Sequence, residues 1–250
     1  MKKLLNFIVV AVIALGEFAH ALLFNFMARQ GFILTAISLP NGAIVAIAAS
    51  YGASKVMSVL TNANPAMATL EASHGIIAGD IMEVTSGWSR LTDKIVRAGT
   101  VSVNDVQLEG IDTSLTSIYP AGTGTGTVRE ILTWTQLSQV LSSSSSGGEQ
   151  QFLEYQLLES DAQKRIPTTK SAAGISFSVA DDPTLAGYIL ASAANDDRLP
   201  RAVRITLPSG AKLFYNAYIS LNKTPSLSVN EIMAVEVTLS LKAEPNRYAT

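Results

Sequence analysis

Few residues in this chain have the types and spacing to do chemistry. Only two histidines occur, His20 and His74, and there is no cysteine. A thiolate nucleophile, a disulfide scaffold and a sulfur-ligated metal are thereby excluded. His74 stands in Ser73-His74-Gly75, with Glu71 and Asp80 near in sequence. That set would suit a hydrolase, but no G-x-S-x-G elbow accompanies it, and a loop histidine is the favoured reading. Ser209-Gly210-Ala211-Lys212 has the serine-lysine spacing of penicillin-recognising enzymes. Its companion motifs are missing, and the run after Pro208 reads as turn chemistry. Gly122, Gly124 and Gly126 suggest a phosphate-cradling loop. Their spacing is wrong for one and no βαβ helix follows, so a linker is expected.

Asp181-Asp182 and Asp196-Asp197 form two carboxylate pairs. Each flanks a predicted helix, where acidic caps are expected without any metal or acid-base role. Trp88, Trp134, Tyr215 and Tyr218 have few basic residues interleaved with them. They read as core or interface anchors rather than platforms for stacked bases. The expectation is a non-enzyme with no catalytic residues, no cofactor and no metal.

Composition points the same way. In 250 residues, 18 Lys and Arg stand against 20 Asp and Glu, giving 18 − 20 = −2. A dedicated nucleic-acid binder needs more basic excess than this. Hydrophobic residues make up 48%, enough for a real core, so global disorder is excluded. Only 15% of residues are charged, below the roughly 25% of ordinary soluble domains. Much of the surface must then be Ser, Thr, Asn, Gln and Gly, and such neutral surfaces tend to associate.

Two regions are expected. Over residues 1–37, Lys2 and Lys3 precede an apolar run from Leu4 to Leu15, then Ala19-His20-Ala21 and further apolar residues to Phe26. This reads as a cleavable signal peptide or an extension outside the working protein, with a signal anchor as the third reading. From Ser38 to Thr250, short segments broken by Gly, Pro, Asn and Asp indicate an all-β domain. Val203, Ile205 and Leu207 alternate with Arg204 and Thr206 before the Pro208 turn. Leu213, Tyr215, Ala217, Ile219 and Leu221 share one face of the return strand. Val235, Val237, Leu239 and Leu241 do so in a third. Period-two patterning of this kind means one buried and one exposed face.

Ahead of this meander, Asp182 is expected to cap a helix with Pro183 in its first turn, burying Leu185, Tyr188, Ile189 and Ala193. Ile175, Phe177 and Val179 read as a strand, as does Gln151 to Leu158. Ile81 to Thr85, Lys94 to Val103 and Asp105 to Leu108 read as short strands of a small inserted β-subdomain over 74–119. Residues 120–127 and 142–148, rich in Gly and Ser, have little to bury and are expected to be flexible loops. The predicted architecture is mainly β: an antiparallel β-sandwich with one flanking α-helix and this insertion.

The stretch "LPRAVRITLPSGAKLFYNAYISLNKTPSLSVNEIMAVEVTLSLKAEP", Leu199 to Pro245, resembles the C-terminal part of the tail tube proteins of long, non-contractile-tailed, lambda-type bacteriophages. The Arg-Ala-Val strand, the Leu-Pro-Ser-Gly turn, the aromatic return strand and Val229-Asn230-Glu231 carry the likeness. Residues Arg129 to Ser160 and the helix after Asp182-Pro183 resemble that family in order. Leu39-Pro40-Asn41-Gly42-Ala43-Ile44 is similar to the start of many phage tail proteins. The resemblance implies a virion structural protein, assembled in the host cytoplasm, that forms hexameric rings stacked into a conduit for DNA. Its partners would be itself, the tape measure, tip and terminator proteins, and DNA passing without sequence-specific binding, with no membrane for the folded domain. It also places Ser143, Ser144, Ser145, Gly147, Gly148 and Glu149, with Asn222 and Lys223 of a second polar loop, among candidate inter-subunit contacts. Residues 1–37 depart from the family and support a competing expectation, an exported β-sandwich adhesin or binding module.

Overall fold

The structure, a computed structural model, describes residues 41–249. The apolar segment read over 1–37 lies outside the described residues. The first strand, β1 (Ile44–Tyr51), leads into two differently built regions.

Five strands follow, β2 (Lys55–Leu60), β3 (Ala66–Leu70), β4 (Ile81–Ser86), β5 (Lys94–Ser102) and β6 (Asp105–Leu108). They combine with the first half of β7 (Gly126–Leu137). Their pairing order, β2-β3-β6-β5-β4-β7 and back to β2, closes a six-stranded antiparallel barrel. Apolar residues at alternate positions fill it: Met57, Met82, Val84, Val96, Val106, Leu108 and Val128 are fully buried. The insertion read at 74–119 thus sits inside a larger closed unit, because closure requires β2, β3 and the start of β7.

Residues 120–127, expected to be a flexible connector, are instead packed. Trp88 donates from Nε1 to the Pro120 carbonyl at 2.9 Å and to Thr123 Oγ1 at 3.0 Å. Gly124 lies so near the Trp88 ring that a Cβ there would come within 2.8 Å of it. The glycines that looked like an absence of packing are what permits the contact.

The second region is one sheet ordered β7-β1-β12-β13-β14-β11-β8. Its further strands are β8 (Val140–Ser146), β11 (Gly174–Ala180), β12 (Arg201–Thr206), β13 (Lys212–Asn222) and β14 (Ala234–Leu241), with β15 (Asn246–Tyr248) paired to β13. β7 and β8 stand at opposite ends of this order but are joined by Ser138 and Gln139 alone, so the sheet must roll over until its ends converge. Val45, Val203, Tyr215, Phe177, Val237 and Leu239 meet inside the roll. The chain is thus mainly antiparallel β with a single helix among the described residues, the two layers of the sandwich being facing walls of this rolled sheet.

That helix, α1 (Ala186–Asp197), starts later than its capping pattern indicates. Asp182 Oδ1 accepts from the Thr184 N–H and hydroxyl, a local turn, and Leu185 takes the N-cap position without a side-chain bond. Its buried face is Gly187, Ala191 and Ala194, whereas Ile189 is 56% exposed. A Cβ on Gly187 would stand 2.3 Å from the Gln136 carbonyl oxygen. The helix therefore seats its smallest residues on β7, where larger ones would hold it off.

The period-two reading of β13 gives the inner face correctly, but its other face is not exposed. Phe214 and Asn216 are buried where the barrel packs against the sheet. Asn216 Nδ2 donates to Glu83 Oε1 at 2.9 Å and to the Asp93 carbonyl at 3.0 Å. Trp134, Phe214 and Tyr248 stack edgewise beside it. Two-sided burial of this kind carries no periodic signature because both residue sets are partly apolar.

Candidate functional site

The residues singled out for chemistry have structural employment. His74 is 8% exposed; its Nδ1 accepts from the Ile76 N–H at 3.0 Å and its Nε2 lies 3.0 Å from the Val103 carbonyl. Both ring nitrogens are thus committed to pinning two loops. Pro208, Ser209 and Gly210 turn the chain between β12 and β13, as their types suggest. Asp196 pairs with Lys223 and Asp197 with Arg201, so that carboxylate pair is divided between two cations. Among the described residues no group of three or more His, Asp or Glu side chains gathers as metal ligands, and no helix is long and apolar enough to cross a membrane.

What the surface does present is an unfinished sheet. Residues 142–148, expected as a flexible loop, are mostly strand: Ser142 to Ser146 belong to β8. Ser143, Ser144 and Ser145 stand opposite Phe177, Ser176 and Ile175 of β11. On its other side β8 has no strand partner among the described residues. A serine tract is read easily as disorder, yet one edge of a strand asks only for backbone hydrogen bonds, and serine does not obstruct them. β8 carries no Lys, no Pro and no inward charge, the devices that usually blunt such an edge.

Gly147 and Gly148 follow with φ of 74° and 78°. A side chain at Gly147 would strike the Ala172 carbonyl oxygen, so this left-handed pair is demanded by the turn. The Glu149 carbonyl then accepts from the Ser171 N–H, its own N–H donates to Ser171 Oγ, and a separate two-stranded hairpin opens, β9 (Gln150–Tyr155) and β10 (Lys164–Lys170). Phe152, Leu153 and Ile166 are 54%, 58% and 48% exposed on it. A two-stranded ribbon with bare apolar residues is marginal alone and marks a surface awaiting a contact.

The sequence-derived contact residues do not form one cluster. In the pairing register Asn222, Glu236, Ser178 and Ser142 make one row across β13, β14, β11 and β8. That row spans about 14 Å at the usual strand spacing. Gly147, Gly148 and Glu149 lie at the opposite end of the strands. Lys223 is engaged with Asp196 within the chain at 3.2 Å. The second hairpin strand and its exposed Ile166 went unread, because Pro167 inside Lys164–Lys170 argues against a strand. The strand expected over Gln151 to Leu158 is its partner β9, which ends at Tyr155.

Residues 86–250 match the family of phage tail tube proteins, and the chain belongs to that family. It is a tail tube structural protein by that membership. Among solved structures it is similar to a subunit in the sheath-tube complex of the PVC extracellular contractile injection system in its extended state. That likeness is 18% identical, covers 43% of this chain and 80% of that one, and has a TM-score of 0.33. It is also similar to a chain of the anti-feeding prophage cap that terminates its tube, at 21% identity, 43% and 79% coverage, and a TM-score of 0.32. No curated protein sequence matches.

Proposed function

We propose that this protein is the self-assembling subunit of a phage or prophage tail tube of the long, non-contractile, lambda type, forming stacked hexameric rings that conduct DNA. The single observation carrying the reading is the family match over residues 86–250. The open β8 edge and the hairpin β9–β10 support it, since both leave hydrogen-bonding and apolar capacity that a second copy satisfies by continuing the sheet or covering the ribbon. In this reading Ser143, Ser144, Ser145, Gly147, Gly148 and Glu149 lie at a subunit contact, with Asn222 and Lys223 at the far end of the same sheet.

The near-neutral chain suits a conduit, because a lumen dense in Lys and Arg would retain DNA through counterion release. Tape measure, tip and terminator proteins are the further partners. The role needs no catalytic group, and the site of action is the virion tail after assembly in the host cytoplasm.

The test is electron microscopy of the purified full chain over a range of concentrations. Rings or hollow tubes of uniform diameter are expected. Monomers persisting at high concentration, with and without added tail-tip complex, would overturn the reading.

A further inference from the structure

The two ends of the β14–β11–β8 sheet carry opposite charge. At one end Lys242 extends β14, Lys170 closes the hairpin, and the β4–β5 turn of the barrel brings Arg90 and Lys94 alongside. These four cations border a cavity of about 430 Å³. Asp93 pairs with Lys242 and Glu244 with Lys170, so four positive charges face two negative ones. Arg90 and Lys94 have no ion-pair partner among the described residues. Lys94 is half-buried, and burial pushes its ammonium below the usual lysine value; Glu244 draws it back, and Lys170 and Arg90 depress it further. A partly desolvated cation among like charges gains from any further anion brought beside it.

The other end of the same strands is acidic. Asp181 follows β11 and donates its backbone N–H to the Met233 carbonyl just before β14. Asp182, Glu231 and Glu236 stand beside it in the chain or the pairing register, and none of the four makes an ion pair among the described residues. The ends are separated by the length of β11, roughly 20 Å at the rise of an extended strand.

We propose that the pocket of Arg90, Lys94, Lys170 and Lys242 receives carboxylates from the acidic end of a second copy, Asp181 and Glu231 foremost, so that subunits stack head to tail through complementary charge. This rests on the tube reading and adds to it the residues of the stacking contact. One copy cannot satisfy both ends of its own sheet, whereas an open head-to-tail series satisfies every pocket but the last. The charge pattern also rejects head-to-head contact, which would set acid against acid.

The experiment is a charge swap in the full chain, read by electron microscopy and sedimentation. Arg90→Glu with Lys94→Glu, or Asp181→Lys with Glu231→Lys, should each raise the concentration needed for stacking by about tenfold or more. Asp182 is left intact because it holds the Thr184 turn. All four substitutions in one chain exchange the charges of the contacting groups, while Lys170, Lys242, Asp182 and Glu236 keep theirs, so stacking should return in part. Circular dichroism shows whether each variant is folded. Should one fold poorly, unaltered protein in salt raised from about 0.01 M to about 1 M, where the screening length falls from about 30 Å to about 3 Å, should stack progressively less.

Unchanged stacking by folded single-end variants, or salt-insensitive stacking of unaltered protein, overturns the inference while leaving the tube reading intact. So does loss of inorganic phosphate binding in the Arg90 and Lys94 variant with stacking preserved, which would assign the pocket to a free anion. Failure of the unaltered chain to form rings at all is the separate result that defeats the tube reading.

Discussion

The barrel and the rolled sheet are made from the same alternating strands, yet among the described residues only the barrel closes on itself. Its six strands close on one another, leaving no edge, and its interior is filled by side chains with almost no exposed surface. The sheet converges at β7 and β8 without joining them, and along its seven residues β8 has no strand partner on its outer edge among the described residues. Closure demands a register that one sequence can encode by itself. An open edge is stable only where something prevents uncontrolled pairing or where pairing is the purpose. In the proposed reading the barrel is the self-contained body and the sheet is the surface on which a second copy acts.

The sharpest way to break this contrast is at Trp88, the plug of the barrel, which is 2% exposed. Trp88→Ala removes the ring against which Gly124 and Tyr119 lie and the indole N–H that the Pro120 carbonyl and Thr123 Oγ1 accept from. A loss of about 4 kcal/mol in unfolding free energy is expected by urea denaturation. A loss under about 1 kcal/mol would mean the barrel is not the rigid half.

Next in size is the junction. Glu83 accepts from Asn216 of the sheet, and Arg129 makes an ion pair with it from β7. Glu83→Ala strips a buried carboxylate from both partners, and about 2–3 kcal/mol is expected for hydrogen bonds to a charged group. Its more telling effect is on cooperativity: the single melting transition should split as barrel and sheet uncouple. One sharp transition with unchanged midpoint would show that β7 and the Phe214 and Tyr248 contacts hold the halves together without Glu83.

The same contrast explains what could be read from the residues alone. The meander after Arg201 and the short strands between Ile81 and Leu108 announce themselves, because each buries one face and alternation is visible. β13 conceals its second buried face, since Phe214 and Asn216 face the barrel, and contact between distant segments leaves no local periodicity. Helix α1 was legible as an element but not in its buried side: small residues at Gly187, Ala191 and Ala194 allow close approach, which an apolar-stripe argument passes over. At the candidate surface, Ser142 to Ser146 look like a loop because nothing in them is hydrophobic. An edge strand is defined by its neighbour's backbone, and the neighbour, β11, lies some thirty residues downstream. The cationic pocket draws on Arg90, Lys170 and Lys242 from three separate segments, so only the fold assembles it.

A smaller effect comes from Tyr248, through which the C-terminal strand grips the barrel. Its hydroxyl accepts from the Arg97 N–H at 2.9 Å and donates to the Glu109 carbonyl at 3.1 Å. Burial pushes its pKa up to about 12, against the 10.0 of a free tyrosine. The folded state therefore holds the phenol proton more tightly than the unfolded state does. Stability from this group is fully present below the unfolded value and falls as pH climbs from there through about 12, by about 3 kcal/mol in all. Urea midpoints measured from neutral to alkaline pH should show the decline in the unaltered protein. Tyr248→Phe should flatten it, at the expense of about 1 kcal/mol at neutral pH. Equal alkaline decline in both would place the titration elsewhere.

The smallest change in stability should accompany the largest change in behaviour. Ser143 and Ser145 are exposed on β8, and lysine at either position leaves the β8–β11 backbone pairing untouched. Surface substitutions of this kind stay within about 0.5 kcal/mol. The same lysines place charge along the free edge, the device by which β proteins forbid strand addition. Ser143→Lys with Ser145→Lys should therefore melt like the unaltered protein yet fail to form rings, whereas Val59→Lys, on an exposed position of the barrel strand β2, should leave both melting and rings unchanged. Were the barrel substitution to block assembly and the edge substitutions to permit it, the assignment of roles would have to be exchanged: the closed unit would carry the contact, and the open edge of β8 would be covered by something other than a second copy.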